Sequence, residues 1–286
     1  YLRRGETTSL DLRGHDRGSL VISEIYYHNP PSEVVNYDPY YEWHLYLELF
    51  NNADSTIYLD GKIVGGAFNV WIDISSWPCS ETAAWRMDPR GLWAQSFQRF
   101  PGSGMDYPLA PGETVVIAEQ AIDHSAIYAG LPDLRDADFE WHWEGRAQKP
   151  DVPTMLPVQL RNNPTGLMLG VAALVPFVAD DIDLDSLERV INIQLEFALF
   201  PGESILDVAS VLYESYKWRD AYTLCGHLVD PSLDALPGFL LPTAIERSDA
   251  HMLAVQRKFL PDGSGLQRTG VSAVDFELGP RSPGRV

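Results

Sequence analysis

Three stretches of the chain bring reactive side chains to regular spacing. Asp138-Phe-Glu-Trp-His-Trp-Glu144 alternates strictly. As a strand it sets Asp138, Glu140, His142 and Glu144 on one face and Phe139, Trp141 and Trp143 on the other. Carboxylates and an imidazole on one face suit Ca²⁺ or Zn²⁺, which makes Asp138, Glu140 and His142 candidate metal ligands. Residues two apart along a strand stand about 6–7 Å apart, so one strand seldom closes a coordination shell. A solvated face over an aromatic underside is the favoured reading. Asp180-Asp-Ile-Asp-Leu-Asp185, with Glu188, is like part of a calcium loop and offers Asp181, Asp183 and Asp185. It lacks the mid-loop Gly and the bidentate Glu of an EF-hand, and a charged face is again favoured. No cofactor is expected other than Ca²⁺ at these acidic sites.

Hydrolytic chemistry has little support. Asp123-His124 is a candidate acid–base pair, but the chain has no Gly-x-Ser-x-Gly elbow and no His-Glu-x-x-His. Aromatic residues are more suggestive. Tyr26, Tyr27, Tyr37, Tyr40, Tyr41, Trp43 and Tyr46 crowd around a Pro-containing stretch between two expected strands. Loops at the end of a β-sandwich gather binding residues, and Tyr and Trp offer flat surface at low entropic cost. Tyr37, Tyr40, Tyr41 and Trp43 are therefore the candidate binding residues for a protein or glycan. The competing reading is a loop that packs its own aromatics onto the sandwich. Cys79 and Cys225 show no Cys-x-x-Cys spacing, so a structural zinc site is not expected. In an exported protein they would form one disulfide; otherwise they are two unpaired thiols.

The elements that must position these residues are mostly strands. Residues 19–26 read as a first strand. Residues 43–50 alternate, with Trp43, Leu45, Leu47 and Leu49 on one side and His44, Tyr46 and Glu48 on the other. Further strands are expected at 56–59, 65–74, 114–118, 252–259 and 273–278. Residues 192–200 also alternate, with Ile193, Leu195 and Phe197 on one side. Short helices are expected at 122–130 and at 184–191, the latter capped by Asp183 or Asp185. Residues 133–164 are punctuated by Pro150, Pro153, Pro157 and Pro164 and read as loop-rich.

Composition narrows the partners. The 286 residues carry 21 Lys+Arg against 40 Asp+Glu, a net charge of −19. With no basic run, nucleic acid is excluded as a partner. No segment reaches the roughly 18 apolar residues of a transmembrane helix. The chain starts at Tyr1, consistent with a fragment or with a signal peptide removed from view.

Four separated motifs carry a family resemblance. Leu20-Val-Ile-Ser-Glu-Ile-Tyr-Tyr-His-Asn-Pro30 resembles the opening strand of a lamin-tail domain. Residues 46–61, with Glu48-Leu-Phe-Asn51 and a closing Asp60-Gly61, are similar to its second signature. Residues 103–118 resemble a later strand introduced by Pro111-Gly112. Residues 266–276 with Ser282-Pro-Gly284 resemble the closing strand and its exit. The resemblance implies an all-β, lamin-tail-like, immunoglobulin-like β-sandwich over 20–278. A long loop-rich insertion containing short helices occupies about 121–265. Residues 1–19 would be an N-terminal segment and 279–286 a tail. Residues 100–108, 117–124, 136–140 and 229–234 are similar to an uncharacterised exported family of Bacteroidota. Its members are often surface lipoproteins encoded near TonB-dependent outer-membrane transporters.

The expected function is thus a non-enzymatic extracellular or cell-surface module. Its partner would be a protein of an outer-membrane or surface complex, such as a TonB-dependent transporter. A self-associating filament or adhesin subunit is the second expectation, and a carbohydrate binder using the Tyr-rich loop the third.

Overall fold

The computed structural model describes residues 20–27, 43–67, 88, 90–158, 173–192, 195–209, 211–213, 239–241 and 252–285. The chain forms β1 (Leu20–Tyr26), β2 (Tyr46–Asn51), β3 (Ile57–Tyr58), β4 (Ile63–Ala67), β5 (Gly91–Arg99) and β6 (Pro108–Leu109). There follow β7 (Thr114–Ala118), β8 (Phe139–Glu140), β9 (Leu156–Pro157), β10 (Ala173–Leu174), β11 (Pro176–Ala179) and β12 (Arg189–Asn192). The last third holds β13 (Leu195–Pro201), β14 (Ile205–Val208), β15 (Val211–Tyr213), β16 (Phe239–Leu241), β17 (Leu253–Arg257), a single turn of helix α1 (Ser272–Asp275) and β18 (Phe276–Pro280). The fold is all-β, as expected.

Two large sheets dominate. The first has the order β18-β17-β1-β2-β7-β8 and is antiparallel except for β7–β8. The second runs β12-β13-β5-β4-β11-β14, with β9 beside β5. They share one core. Ile22, Leu47, Leu49 and Ile117 of the first sheet pack with Val64 and Val178 of the second. The alternation of residues 43–50 delivers Leu45, Leu47 and Leu49 to this core, as read from the sequence. The opposite side is not solvated: His44, Tyr46 and Glu48 are fully buried too. Leu134, Ala137 and Val152 cover that outer face by packing on Tyr26, Tyr46, Val116 and Ala118. The outer face of the second sheet buries Ile63, Phe97, Phe177 and Phe200 beneath Leu184.

The stretch expected as a loop-rich insertion builds much of this architecture. It contributes β8 and β17 to the first sheet and β9 and β11–β14 to the second. The expected helix at 184–191 is a single 3₁₀ turn, Leu184–Ser186, capped by Asp183, after which the chain enters β12. Pairing of β12 with β13 outweighs the local helix signal. The expected helix at 122–130 is likewise one 3₁₀ turn, His124–Ala126. The expected strand at 273–278 begins as α1 and becomes β18 only at Phe276.

A bulge in β1 sets which groups face where. Ile22 pairs with Leu49 and Glu24 with Glu48, which leaves Ser23 unmatched. The extra residue shifts the alternation, so Leu20, Ile22 and Ile25 all reach the shared core. It also turns the Ile22 N–H across to the second sheet, where Asp207 Oδ2 accepts it at 2.8 Å. Arg257, whose side chain is only 1% exposed, completes a buried network there. Its Nη2 meets Asp207 at 2.5 Å, Nη1 meets Asp275 at 3.5 Å, and Nε donates to Ile22 O at 2.6 Å. Its guanidinium lies 4.3 Å from the Phe276 ring centroid.

Candidate functional site

Because β8 runs parallel to β7, and β2 lies antiparallel between β1 and β7, one end of the first sheet collects four strand ends. Tyr27 leaves β1 there, and Trp43 to Leu45 lead into β2. Glu119 follows β7, and Trp141 to Trp143 follow β8. Trp141 is buried in the shared core, whereas Trp43 and Trp143 are half-buried. The two half-buried indoles meet edge to face at 5.1 Å. The Arg146 guanidinium lies 4.7 Å from the Trp43 ring and 5.8 Å from the Trp143 ring. Cation–π attraction of this kind is worth about 1–2 kcal/mol when partly desolvated. Glu119 anchors both partners. Its Oε2 accepts the Trp143 indole N–H at 2.5 Å, and its carbonyl accepts from Arg146. Gln98 of the second sheet clamps the His142 backbone by two bonds, at 2.8 and 2.9 Å. The aromatic end is therefore fixed to both sheets.

Behind it lies a buried ring cluster. Tyr26 stacks on Tyr46 at 5.2 Å and meets His44 edge-on at 5.8 Å; His44 in turn lies 6.3 Å from His124. Burial pushes the His124 imidazole down to about 4, so it is neutral near pH 7. Its Nε2 is 2.9 Å from Gln120 O. Asp123 instead caps the adjacent 3₁₀ turn, accepting from Ser125 N at 3.0 Å. The two side chains thus serve separate bonds.

The expected metal residues are spread over several duties. Asp138 accepts from Val116 N at 2.8 Å, and burial raises its carboxyl above the usual range. Glu140 is fully buried rather than solvated. It accepts from Lys149 N at 2.8 Å and Ala121 N at 3.3 Å. The His142 ring faces Gln148 at 3.4 Å. Only Phe139 and Glu140 of that stretch are in a strand, although Phe139 and Trp141 do share the inward side. Asp181 pairs with Arg99 at 3.4 Å, Asp183 caps its turn by accepting Asp185 N, and Asp185 is exposed. They border a shallow cavity of about 660 Å³ with Val158, Leu184 and Arg189. Among the described residues no three His, Cys, Asp or Glu side chains gather as a metal site. Tyr37, Tyr40, Tyr41, Cys79 and Cys225 lie outside the described residues.

Sequence reasoning missed Arg146 and Glu119 at the aromatic end. The Trp143 alternation was visible, but nothing local ties Arg146 to Trp43, which lies far earlier in the chain. It also missed Glu24 and Glu48, whose carboxyls sit beneath the chain's last described residues. There a second groove, of about 560 Å³, runs between residues 133–138 and 281–285.

These features define an all-β protein built around two large sheets, with an aromatic, arginine-clamped end. No family model matches the chain, and no curated protein matches it. Its fold is similar to the crystal structure of a DUF4876 family protein from Bacteroides thetaiotaomicron VPI-5482. The TM-score is 0.69 at 20% identity, covering 94% of this chain and 72% of that one. That likeness establishes a shared fold with a protein from a family designated only as a domain of unknown function.

Proposed function

We propose that the chain is a non-enzymatic binding module of an extracellular or cell-surface assembly, exported after loss of a signal peptide. Its partner is a protein of an outer-membrane complex, with a TonB-dependent transporter the leading kind. In this reading the two-sheet body is an elaborated, lamin-tail-like, immunoglobulin-like sandwich, and the aromatic end is the contact surface. The observation that carries it is the Trp43–Arg146–Trp143 cluster. Half-buried Trp and Arg held rigidly at strand ends are the residue types that dominate protein interfaces.

The experiment is co-purification of the tagged chain from cross-linked cell envelopes, beside Trp43→Ala and Trp143→Ala variants. An envelope protein retained by the native chain and lost at least tenfold in both folded variants supports the proposal. Equal retention by the variants refutes the assigned surface. A glycan array bound by the native chain and not by Trp43→Ala would replace the protein partner with a carbohydrate.

Self-association is the second reading, favoured by β12. This strand lies at the edge of the second sheet, and its Ile191 is 57% exposed. Open edges accept further strands. Light scattering that shows a monomer at millimolar concentration would exclude it.

A further inference from the structure

Residues 281–285 cross the outer face of the first sheet beyond β18 and are held mainly by polar contacts. Arg281 N donates to Met252 O at 3.1 Å, and its guanidinium lies 5.4 Å from the Tyr26 ring. The N–H and hydroxyl of Ser282 donate to the two oxygens of Glu24, each at 2.8 Å. Gly284 N–H donates to Glu48 Oε2 at 2.7 Å, from a left-handed backbone with φ +74° that favours glycine. Gln256 Nε2 links Pro280 O, Ser282 Oγ and Glu24. None of residues 281–285 is buried. A segment with no buried apolar anchor opens at low cost.

Its seat is a pair of like charges. Glu24 and Glu48 stand directly opposite each other on β1 and β2, 1% and 0% exposed. Among the described residues no Lys or Arg forms an ion pair with either. Like charges directly opposite in a sheet repel. Ser23 of β1 and Asp138 ahead of β8 face Glu48, while the Tyr46 hydroxyl of β2 and Gln256 of β17 donate to Glu24, with Tyr26 of β1 stacked on Tyr46. Arg281 and Arg285 approach from the strap, and β7 offers only Thr114 and Val116. Burial holds the Glu48 carboxyl up to about 7, Glu24 and Asp138 push the same way, and the bonds from Ser23 and Gly284 oppose them.

Closing the strap takes water away from Glu48, which penalises the carboxylate far more than the acid. The acid can still serve both neighbours. One oxygen accepts from Gly284 N–H while the other carries the proton and donates it to Ser23 Oγ, now 2.7 Å away. We propose that residues 281–285 form a pH-responsive strap, closed while Glu48 holds its proton and lifting when that proton is lost. Lifting opens the groove between residues 133–138 and the strap and bares two carboxylates and the Tyr26 and Tyr46 hydroxyls.

The test is amide hydrogen exchange by NMR at Ser282 and Gly284 in the full chain, at pH 5.5 and pH 8, corrected for base-catalysed intrinsic exchange. Protection is expected to fall about tenfold or more at pH 8, since a group shared unequally between two states shifts them by up to tenfold per pH unit. In Glu48→Gln the protection should change less than about twofold. Equal protection of the native strap at both pH values, or an undiminished fall in Glu48→Gln, overturns the proposal. The native chain alone supplies a second readout: the ¹³C carboxyl shift of Glu48 must titrate with the midpoint of the protection change, and separate midpoints overturn it as well.

Discussion

Replacing Arg257 by Met should remove a large share of the protein's stability. The side chain is 1% exposed and makes four kinds of contact: to Asp207, to Asp275, to the carbonyls of Ile22 and Gln267, and to the Phe276 ring. Met fills similar volume, so the packing term is small. The electrostatic term is not. Breaking a buried ion pair from one side costs about 3–5 kcal/mol, because the remaining charge stays buried. Two carboxylates are affected, but neither is stripped. Asp207 keeps Ile22 N and a 3.5 Å contact to Arg268, and Asp275 keeps Thr269. The orphaned Ile22 carbonyl adds about 1 kcal/mol or more. The net expectation is a loss of about 4 kcal/mol, a large part of the 5–15 kcal/mol of a typical domain. Equilibrium urea denaturation followed by tryptophan fluorescence measures it as a lower midpoint at unchanged slope. A loss under about 1 kcal/mol would refute the view that this network locks the sheets together. A triple variant with Asp207→Asn and Asp275→Asn should recover part of the loss, since it removes the charges that Arg257→Met strands.

Three further outcomes follow from local geometry. The folded-state pKa of His124 lies below its ordinary 6.5, so its stabilising burial as a neutral ring is complete above pH 6.5. That contribution is lost as pH falls toward 4, by up to about 3 kcal/mol; denaturation midpoints across that range should flatten in His124→Gln. Gly91→Ala places a Cβ 1.8 Å from Phe200 O at the β5–β13 pairing. It should destabilise by about 3 kcal/mol or fail to fold, read by thermal unfolding. Asp60 accepts the N–H groups of Gly104, Asp106 and Tyr107, each at 2.9 Å, and these bonds hold its carboxyl down to about 2. Asp60→Ala should raise amide exchange at those three residues about tenfold, and acid below pH 3.8 should begin to do the same to the native loop.

The sequence was most informative where a strand buries one face and ends on turn residues. β1 and β7 fall within one residue of their expected limits, β2 starts three residues late, and the inward set Leu45, Leu47 and Leu49 was correct. Alternation did not say what covers the other side. His44, Tyr46 and Glu48 share it, and the residues that bury it, Leu134, Ala137 and Val152, lie far along the chain where no local signal ties them to β2. The same distance hid the second sheet. The alternation of residues 192–200 did mark β13, but β11 and β14 carry no such local signal, and it is their pairing with each other and with β4 that makes them strands. At the aromatic end Trp43 was singled out from local density. Arg146 and Glu119 were not, because a cation–π clamp has no sequence period.

The placement of the two outermost described strands has a mechanical consequence. β1 lies in the middle of the first sheet, bonded on both sides, while β18 lies at its edge and is bonded to β17 alone. Because β17 is antiparallel to both, β1 and β18 run the same way, and residues 20 and 280 stand at opposite ends of the sheet. Tension between them would load both strands lengthwise, so that the bonds of each ladder share the force. β18 has one ladder to give way and β1 has two, with Asp207 and Arg257 gripping β1 as well, so the sheet would hold in shear and part first between β17 and β18.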